Sequence, residues 1–471
     1  MSLAIVWFRR DLRLQDNPAL AHALANHQQV LALYVHAPRE DEPWAAGGAS
    51  QWWLHHALAD LDAHLLGRLV LQQGRSVDVL NRLVDATAAA SVYWNRVYEP
   101  AAIARDTAIK RDLRARGVDV QSFGASLLFE PWQVMNRQGR PFRVFTPYWK
   151  HLVSQGLPNR TCSVDEADIA AKVIDRVTGQ RSLPLAELQL LPGIPWDQGM
   201  TAAWRVSRDA AEARLDEFVA TELERYETGR DLPAADQVSR LSPYLHFGQI
   251  GPREIVAACG DVGGVATPFL RELGWREFAA YQLYHFPQTS DQPLDQRFAD
   301  FPWRDDPAQL QAWQRGLTGI PLVDAGMRQL WQTGWMHNRV RMIVASFLTK
   351  NLLLPWQHGA RWFWDTLVDA DLASNTMGWQ WTAGSGADAA PYFRVFNPVL
   401  QGTRFDPKGD YVRQWVPELG GMPVRWVHQP WAAPADVRRS ANVELDADYP
   451  APLVDLKASR ERALSAWSAI K

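Results

Sequence analysis

Hydrophobic periodicity changes character once along this 471-residue chain, and that change limits what the chain can fold into. Short β-branched and aromatic runs at 4–8, 30–36, 68–72 and 92–97 alternate with stretches of helical spacing. Such alternation predicts parallel strands joined by crossover helices, a doubly wound α/β domain. Asn17-Pro18 supplies an N-cap followed by proline at the first helical position, and Ser76 is placed to cap a helix running through Val84. From 131 to about 200 the periodicity fades among turn-forming residues, which reads as a connector laid on the surface. Residues 201–471 carry helical spacing with little strand alternation and read as an α-helical domain. The expected division is therefore 1–130, 131–200 and 201–471.

Composition removes several function classes. Two cysteines, Cys162 and Cys259, build neither a disulfide framework nor a CxxC metal site, so no metal is expected and a reducing compartment suits the chain. No basic n-region precedes a signal-length apolar stretch, and no window reaches the length of a membrane span. A cytoplasmic protein is expected. With a net charge of −3, a nucleic-acid partner would need a local basic surface.

The chain holds 23 tryptophans, and one stretch, 334–398, sets several among arginines, carboxylates and asparagines: GWMHNRVRM, then DADLASNTMGWQW, then APYFRVFNP. Buried arginines and aspartates must pair, so Arg339, Arg341, Asp369 and Asp371 around Asn375 predict either a polar cup for a donor-rich ring or an ion-pair cluster that fixes helix packing. In FLRELGWREF, Glu272 and Arg276 stand four apart and can pair on one helical face, beside Trp275. Ser239 and Ser242 mark a loop-to-helix start with Pro243 just inside, fit for an anion or for plain capping. His337 reads as a core histidine without a chemical role. Core packing is the ordinary reading of any single tryptophan.

Taken together, WFRRDLRLQDNPAL, SRLSPYLHFG, WREF, GWMHNRVRM, DADLASN, GWQW and DAAPYFRVFNP closely resemble the DNA photolyase/cryptochrome family, nearest to bacterial class I cyclobutane pyrimidine dimer photolyases. The resemblance runs through nearly the whole length and implies an α/β domain, a connector and a helical domain that binds FAD. It implies that Tyr226, Val238, Ser239, Arg240, Leu241 and Ser242 hold the FAD phosphates. Asp369, Ala370 and Asp371 would line the flavin side, Arg341 would pair with Asp369, Asn375 would face flavin N5, and Glu272 would also bind the cofactor. Trp379, Trp356 and Trp303 match the inner, middle and surface members of an electron relay. Glu272, Trp275, Asn338, Arg339, Met342, Trp381 and Gln401 match the residues around the flipped lesion, with Arg230 near DNA phosphates. Glu272, Asn338 and Asn375 carry the catalytic roles in this reading. The implied partner is UV-damaged DNA, met by a monomer.

Some positions depart from the family pattern. Val238 replaces a threonine, and Ser374, Thr376 and Met377 change the surroundings of Asn375. Ala102 stands where folate-binding relatives carry glutamate, and QTSDQPLDQRF lacks the matching lysine. Both argue against a folate antenna and leave a deazaflavin, a second flavin or none. A (6-4) photolyase would carry histidines at Asn338 and Met342. A cryptochrome photoreceptor would share fold, FAD and relay, with Asn375, Trp275 and the lack of an extended tail standing against it.

Overall fold

Five short strands open the structure, a computed structural model that describes residues 2–175, 181–260, 264, 267–389 and 393–470. They are β1 (Leu3–Phe8), β2 (Gln29–His36), β3 (Val70–Gln73), β4 (Ser91–Asn95) and β5 (Asp119–Phe123). All pair in parallel in the order β3-β2-β1-β4-β5, the doubly wound arrangement that the alternating periodicity predicts. The crossovers include α1 (Pro18–Asn26), α2 (Gly48–His64), α3 (Ser76–Thr87) and α4 (Pro100–Ala115). Strands β1 and β4 are buried along their whole length, as strands covered on both faces must be. Ile5, Trp7, Leu31, Leu33, Val92 and Trp94 form the centre of their core.

Two local expectations resolve differently. Asn17 caps α1 as expected, its side chain accepting the Leu20 amide at 3.1 Å. Ser76 does not cap α3. It is the first residue inside that helix, and its amide and hydroxyl both turn to the Glu40 carboxylate, at 2.7 and 2.6 Å. Glu40 thus supplies from another segment the acceptor that Ser76 was expected to provide.

The connector is more ordered than its turn residues suggest. It holds α5 (Phe145–Gln155) and the helix Glu166–Lys172. Beyond it lie α6 (Ser242–His246), α7 (Thr267–His285), α8 (Pro307–Arg315), α9 (Asn338–Ser346), α10 (Trp356–Thr366), α11 (Leu372–Ala383) and α12 (Pro398–Phe405). Among the described residues after 201 no named strand occurs, so the helical reading of that part stands.

Contacts divide the chain into two compact units whose limits differ from the expected breaks at 130 and 200. One comprises Met1–Glu224, Ser239–Pro287 and Val368–Leu372; the other comprises Arg225–Val238, Gln288–Leu367 and Ala373–Lys471. The expected phosphate loop, α6 and α7 therefore belong to the unit of the sheet.

Within that unit the packing shows why. Arg13, with its side chain 1% exposed, donates to the carbonyls of Gly248 (2.9 Å), Asp16 (2.7 Å) and Ala125 (3.2 Å). The Leu12 amide donates to Phe247 O at 3.0 Å, and Arg208 Nη1 to Gln249 O at 2.7 Å. Gly248, at φ 68°, could carry no side chain, since a Cβ would lie 2.2 Å from Arg10 O.

Helix α7 is tied to the stretch that follows β5 by one buried carboxyl. Glu277 accepts the amides of Leu128 (2.9 Å) and Phe129 (3.3 Å). Burial raises its pKa from 4.5 to about 7, against the opposing pull of Arg276 and of those amides. A folded-state pKa above the unfolded one means that the native protein holds the proton more tightly. Its contribution is complete below pH 4.5 and is lost as pH rises through about 7. Thermal melts at pH 5 and pH 8 should show the wild type losing about 1–3 kcal/mol more than Glu277→Gln over that interval. Equal losses in the two proteins would remove Glu277 as the cause.

Candidate functional site

In the unit of the sheet, the expected phosphate loop has a strained backbone. Arg240 adopts a left-handed conformation (φ 52°). Such outliers persist only where the surroundings over-determine them, and they cluster at ligand clamps. Ser239 O accepts from Arg214 Nε at 3.0 Å, and Ser239 Oγ accepts the Leu241 amide at 3.4 Å. Helix α6 receives no side-chain cap. The Ser242 hydroxyl instead donates to Asp369 Oδ2 at 2.6 Å. The plain capping role that these serines admit is therefore not the one Ser242 plays. It joins two members of the expected cofactor set.

Asp371 lies beside a histidine that the sequence reading passed over. His246 Nδ1 is 3.7 Å from Asp371 Oδ2, and the imidazole is buried. Burial lowers the His246 pKa, with Arg10 adding to the effect and Asp371 opposing it, so the ring is neutral at ordinary pH. Its signal was present inside SRLSPYLHFG, where no carboxylate partner is visible.

Helix α7 presents Glu272 and Trp275. Trp275 stacks on Phe145 of α5, with ring centroids 3.6 Å apart and planes within 10°. Gly274 makes room for the same layer, since a Cβ there would come 2.4 Å from the Trp149 ring. Arg276 does not form the pair with Glu272 that their spacing allows. It donates to Ser126 O at 2.7 Å and lies 3.6 Å from Glu277 Oε1.

The remaining site residues belong to the second unit. Tyr226 is buried on the helical turn Tyr226–Gly229, with the Arg230 guanidinium 5.4 Å from its ring. Asn338 opens α9, and His337 caps that helix by accepting the Arg339 amide at 3.2 Å, which gives the histidine a structural task. Arg339 is held by Asp231, with Nη2 2.7 Å and Nε 3.2 Å from Oδ1. Met342 Sδ is 3.9 Å from Arg339 Nη1. Arg339 and Arg404 both lie over the Phe405 ring, at 4.5 and 5.0 Å. Asp231 was missed because its partner stands 108 residues away. Arg341 Nε donates to Met336 O at 2.7 Å.

Helix α11 carries Asn375, Trp379 and Trp381. Asn375 Nδ2 donates to Ala360 O of α10 at 2.9 Å. Trp381 Nε1 donates to Asp388 O at 3.1 Å, and its ring lines a cavity of about 270 Å³ with Ser346, Lys350, Phe393 and Phe396. Gln401 is half-buried on α12. Of the expected stretch 390–398, residues 390–392 lie outside the described residues.

Trp379 and Trp356 are buried, and Trp303 is half-buried against a cluster containing Phe298 and Phe301. The Trp379 ring meets Phe363 at 5.0 Å and Trp313 at 6.1 Å, both edge-on. Trp313 had no distinguishing signal, since its helix reads as an ordinary amphipathic one. Ala102, the antenna position, is buried in α4.

Comparisons with known proteins agree with this construction. A family described as "DNA photolyase" matches residues 4–165, and "FAD binding domain of DNA photolyase" matches residues 269–469. The deoxyribodipyrimidine photo-lyase of Agrobacterium fabrum is 46% identical over 99% of this chain and 98% of its own. Cryptochrome-2 of Arabidopsis thaliana is 38% identical, over 98% of this chain and 78% of its own. The solved structure of a bacterial class III photolyase from Agrobacterium tumefaciens matches with a TM-score of 0.94 at 44% identity, covering 100% of this chain and 98% of that one. The chain is built on a photolyase-type α/β sheet followed by an FAD-binding helical part. It belongs to the DNA photolyase/cryptochrome family. Within the family that solved structure is of class III, whereas the motifs resemble class I.

The contact of α10 with α11 can be tested alone. A Cβ on Gly359 would lie 2.0 Å from Trp379 Cη2. Gly359→Ala should therefore lower the unfolding free energy by about 1–3 kcal/mol in a urea titration, although alanine favours helix. An unchanged midpoint would show that the indole moves aside freely.

Proposed function

We propose that this chain is a light-driven deoxyribodipyrimidine photo-lyase that splits cyclobutane pyrimidine dimers in DNA, with FAD as its cofactor. The observation that carries the reading is the link from Ser242 Oγ to Asp369, beside the left-handed Arg240, in the segments whose motifs match the family's cofactor residues. The donor set suits the group. Ser239 and Ser242 with the loop amides would meet its phosphates, and Asp369, Asp371 and Asn375 would meet the edge of a ring rich in donors and acceptors. When bound in its reduced form, FAD supplies one photo-excited electron to the dimer and takes it back, so no reductant is consumed per turnover.

The chain's own residues bind, orient and shield. Trp275, stiffened by Phe145, and Trp381 offer flat apolar surfaces for an extruded dimer, and extrusion is how enzymes reach a base for chemistry. Glu272 would accept from the pyrimidine edge and stabilise charge developing on its carbonyls. Asn338 and Met342 belong to the same set of lesion residues by the resemblance of their motif. Arg230 and Arg339 would meet phosphates, which makes binding salt-dependent despite the net charge of −3. Asp231 keeps Arg339 oriented before DNA arrives. Trp379, Trp356 and Trp303 would carry electrons to oxidised FAD. For the subclass, the full-length likeness to a class III photolyase favours class III over class I. For an antenna, the buried Ala102 offers no carboxylate to a folate, and a deazaflavin, a second flavin or none are the readings kept.

A photoreceptor is the second reading, favoured by the likeness to Cryptochrome-2. Among the described residues no helix is long and apolar enough to cross a membrane. A cytoplasmic monomer fits either reading, whereas action on damaged DNA belongs to the first. The two separate on incubating photoreduced protein with a thymine-dimer oligonucleotide. Dimers should disappear in blue light and persist in the dark, whereas equal persistence in both would favour the photoreceptor. Trp303→Phe should slow photoreduction at least tenfold, read as loss of oxidised-flavin absorbance, while chemically reduced Trp303→Phe repairs at close to the wild-type rate. Unchanged photoreduction would remove Trp303 from the electron path.

A further inference from the structure

The motifs assign nothing to Lys350, yet it joins two stretches of the candidate site within the second unit. Helix α9 carries Asn338, Arg339 and Met342 and runs on into a π-helical turn, Phe347–Asn351, that holds Lys350 fully buried. Lys350 Nζ donates to the carbonyl of Ala383, the last residue of α11, at 2.6 Å. The same nitrogen lies 3.0 Å from the centroid of the Phe393 ring. One turn earlier, Ser346 Oγ accepts the Phe396 amide at 3.3 Å.

Beyond Ala383 the chain turns back onto Trp381. Gly384, at φ 96°, leads it out of the helix past the lysine, where a Cβ would lie 3.3 Å from Phe393 Cδ2 and 3.5 Å from Lys350 Nζ. The amides of Gly384, Ser385 and Gly386 all fold onto Gln380 O, at 2.9, 3.0 and 3.0 Å. Asp388, left-handed at φ 53°, then offers its carbonyl to the Trp381 indole N–H at 3.1 Å. The indole is thus held from a loop, and Lys350 grips that loop at Ala383 and at Phe393. The cavity of about 270 Å³ beside Trp381 means that contacts of this kind, and not close packing, set the angle of the ring. An ordinary ion pair does not account for the lysine. Asp295 lines the same cavity, but its carboxylate is taken by Arg297, with Nη2 at 2.6 Å. Among the described residues no carboxylate comes within ion-pair reach of Lys350. Burial lowers its pKa, with no neighbouring charge opposing the effect. A buried amine so placed costs folding energy, and a plain cap on α11 would need only one of its two contacts.

We propose that Lys350 is a positioning residue for lesion recognition: by gripping Ala383 and Phe393 it closes the loop that holds the Trp381 indole, and so sets the flat face offered to an extruded pyrimidine dimer. The proposal rests on the reading that Trp381 lies against the lesion. It gives α9 and its π-helical turn two tasks in that reading. Asn338, Arg339 and Met342 belong to the lesion set itself, and Lys350 holds the loop that orients Trp381.

The test is a double-mutant cycle on the full-length holoprotein, read in the dark as affinity for a thymine-dimer oligonucleotide and for the same oligonucleotide undamaged. Lys350→Met should weaken binding of the damaged strand about tenfold and leave the undamaged strand within about twofold of wild type, the scale of one lost base–aromatic stack. Trp381→Phe removes the indole N–H that the loop receives and should act in the same direction. Because both changes work through one indole, the double variant should bind the damaged strand little worse than the weaker of the single variants. Phe393→Leu takes away the ring under the lysine and leaves Lys350 in place. It should give a smaller loss confined to the damaged strand, and it covers the case in which Lys350→Met folds poorly. Wild-type affinity for the damaged strand in both Lys350→Met and Phe393→Leu overturns the inference. So do losses that multiply in the double variant, or that fall equally on the undamaged strand. Wild-type protein that binds the two oligonucleotides alike overturns the reading of Trp381 as a lesion residue, and the inference with it.

Discussion

The arrangement of the first unit depends on one buried guanidinium. Arg13 bonds three carbonyls from separate parts of the chain, at Asp16, Ala125 and Gly248. Burying a cation is costly unless its donors are met, and removing one partner of such a set leaves the rest uncompensated. Asp16 and Glu254 nearby supply negative charge, at 3.4 and 3.7 Å. The loop after the first strand, the stretch that follows β5 and the turn that follows α6 therefore hold together as one decision. Because the turn is fixed, His246 is aimed at Asp371. Because α6 is fixed, Ser242 reaches Asp369.

Much of the fold was legible because burial imposes a period. Strands β1 and β2, covered on both faces, read as continuous apolar runs and lay where expected within a residue. Strand β5 (DVQSF) carries one buried residue, and a polar edge strand has no such run to find. Helix α5 was hidden by Pro147, which reads as a breaker although it stands in the first turn, where a missing amide costs nothing. Ser76 misled for a subtler reason. A serine ahead of an apolar run signals a cap, but the nearby Glu40 carboxylate is the stronger acceptor and lies outside any local window.

The candidate site was legible as a set of residue types and far less as a set of partners. Arg339 looked like a partner for the aspartates of DADLASN, yet it is held by Asp231. Arg276 looked like a partner for Glu272 at helical spacing, yet its nearest carboxylate is Glu277. Local spacing states which groups are able to meet, and tertiary packing chooses among them. The tryptophans repeat the point. Trp313 is buried with its indole N–H on Val344 O, and nothing in its own helix marks it as the neighbour of Trp379.

The unit built around the sheet also has a bearing on how the protein is made. Its three segments, Met1–Glu224, Ser239–Pro287 and Val368–Leu372, are interrupted by chain that belongs elsewhere. A ribosome adds on the order of 5–20 residues per second, so roughly 10–30 s separate the first segment from the last. Through that interval the carbonyl acceptor on Gly248 and the carboxylates of Asp369 and Asp371 arrive late to a sheet that is already present. Arg13 and Ser242 must wait for partners not yet synthesised, which leaves charged and polar groups of the nascent chain temporarily solvated rather than paired. Vectorial synthesis thus gives the sheet first, its clamp second and the aspartates of the candidate site last.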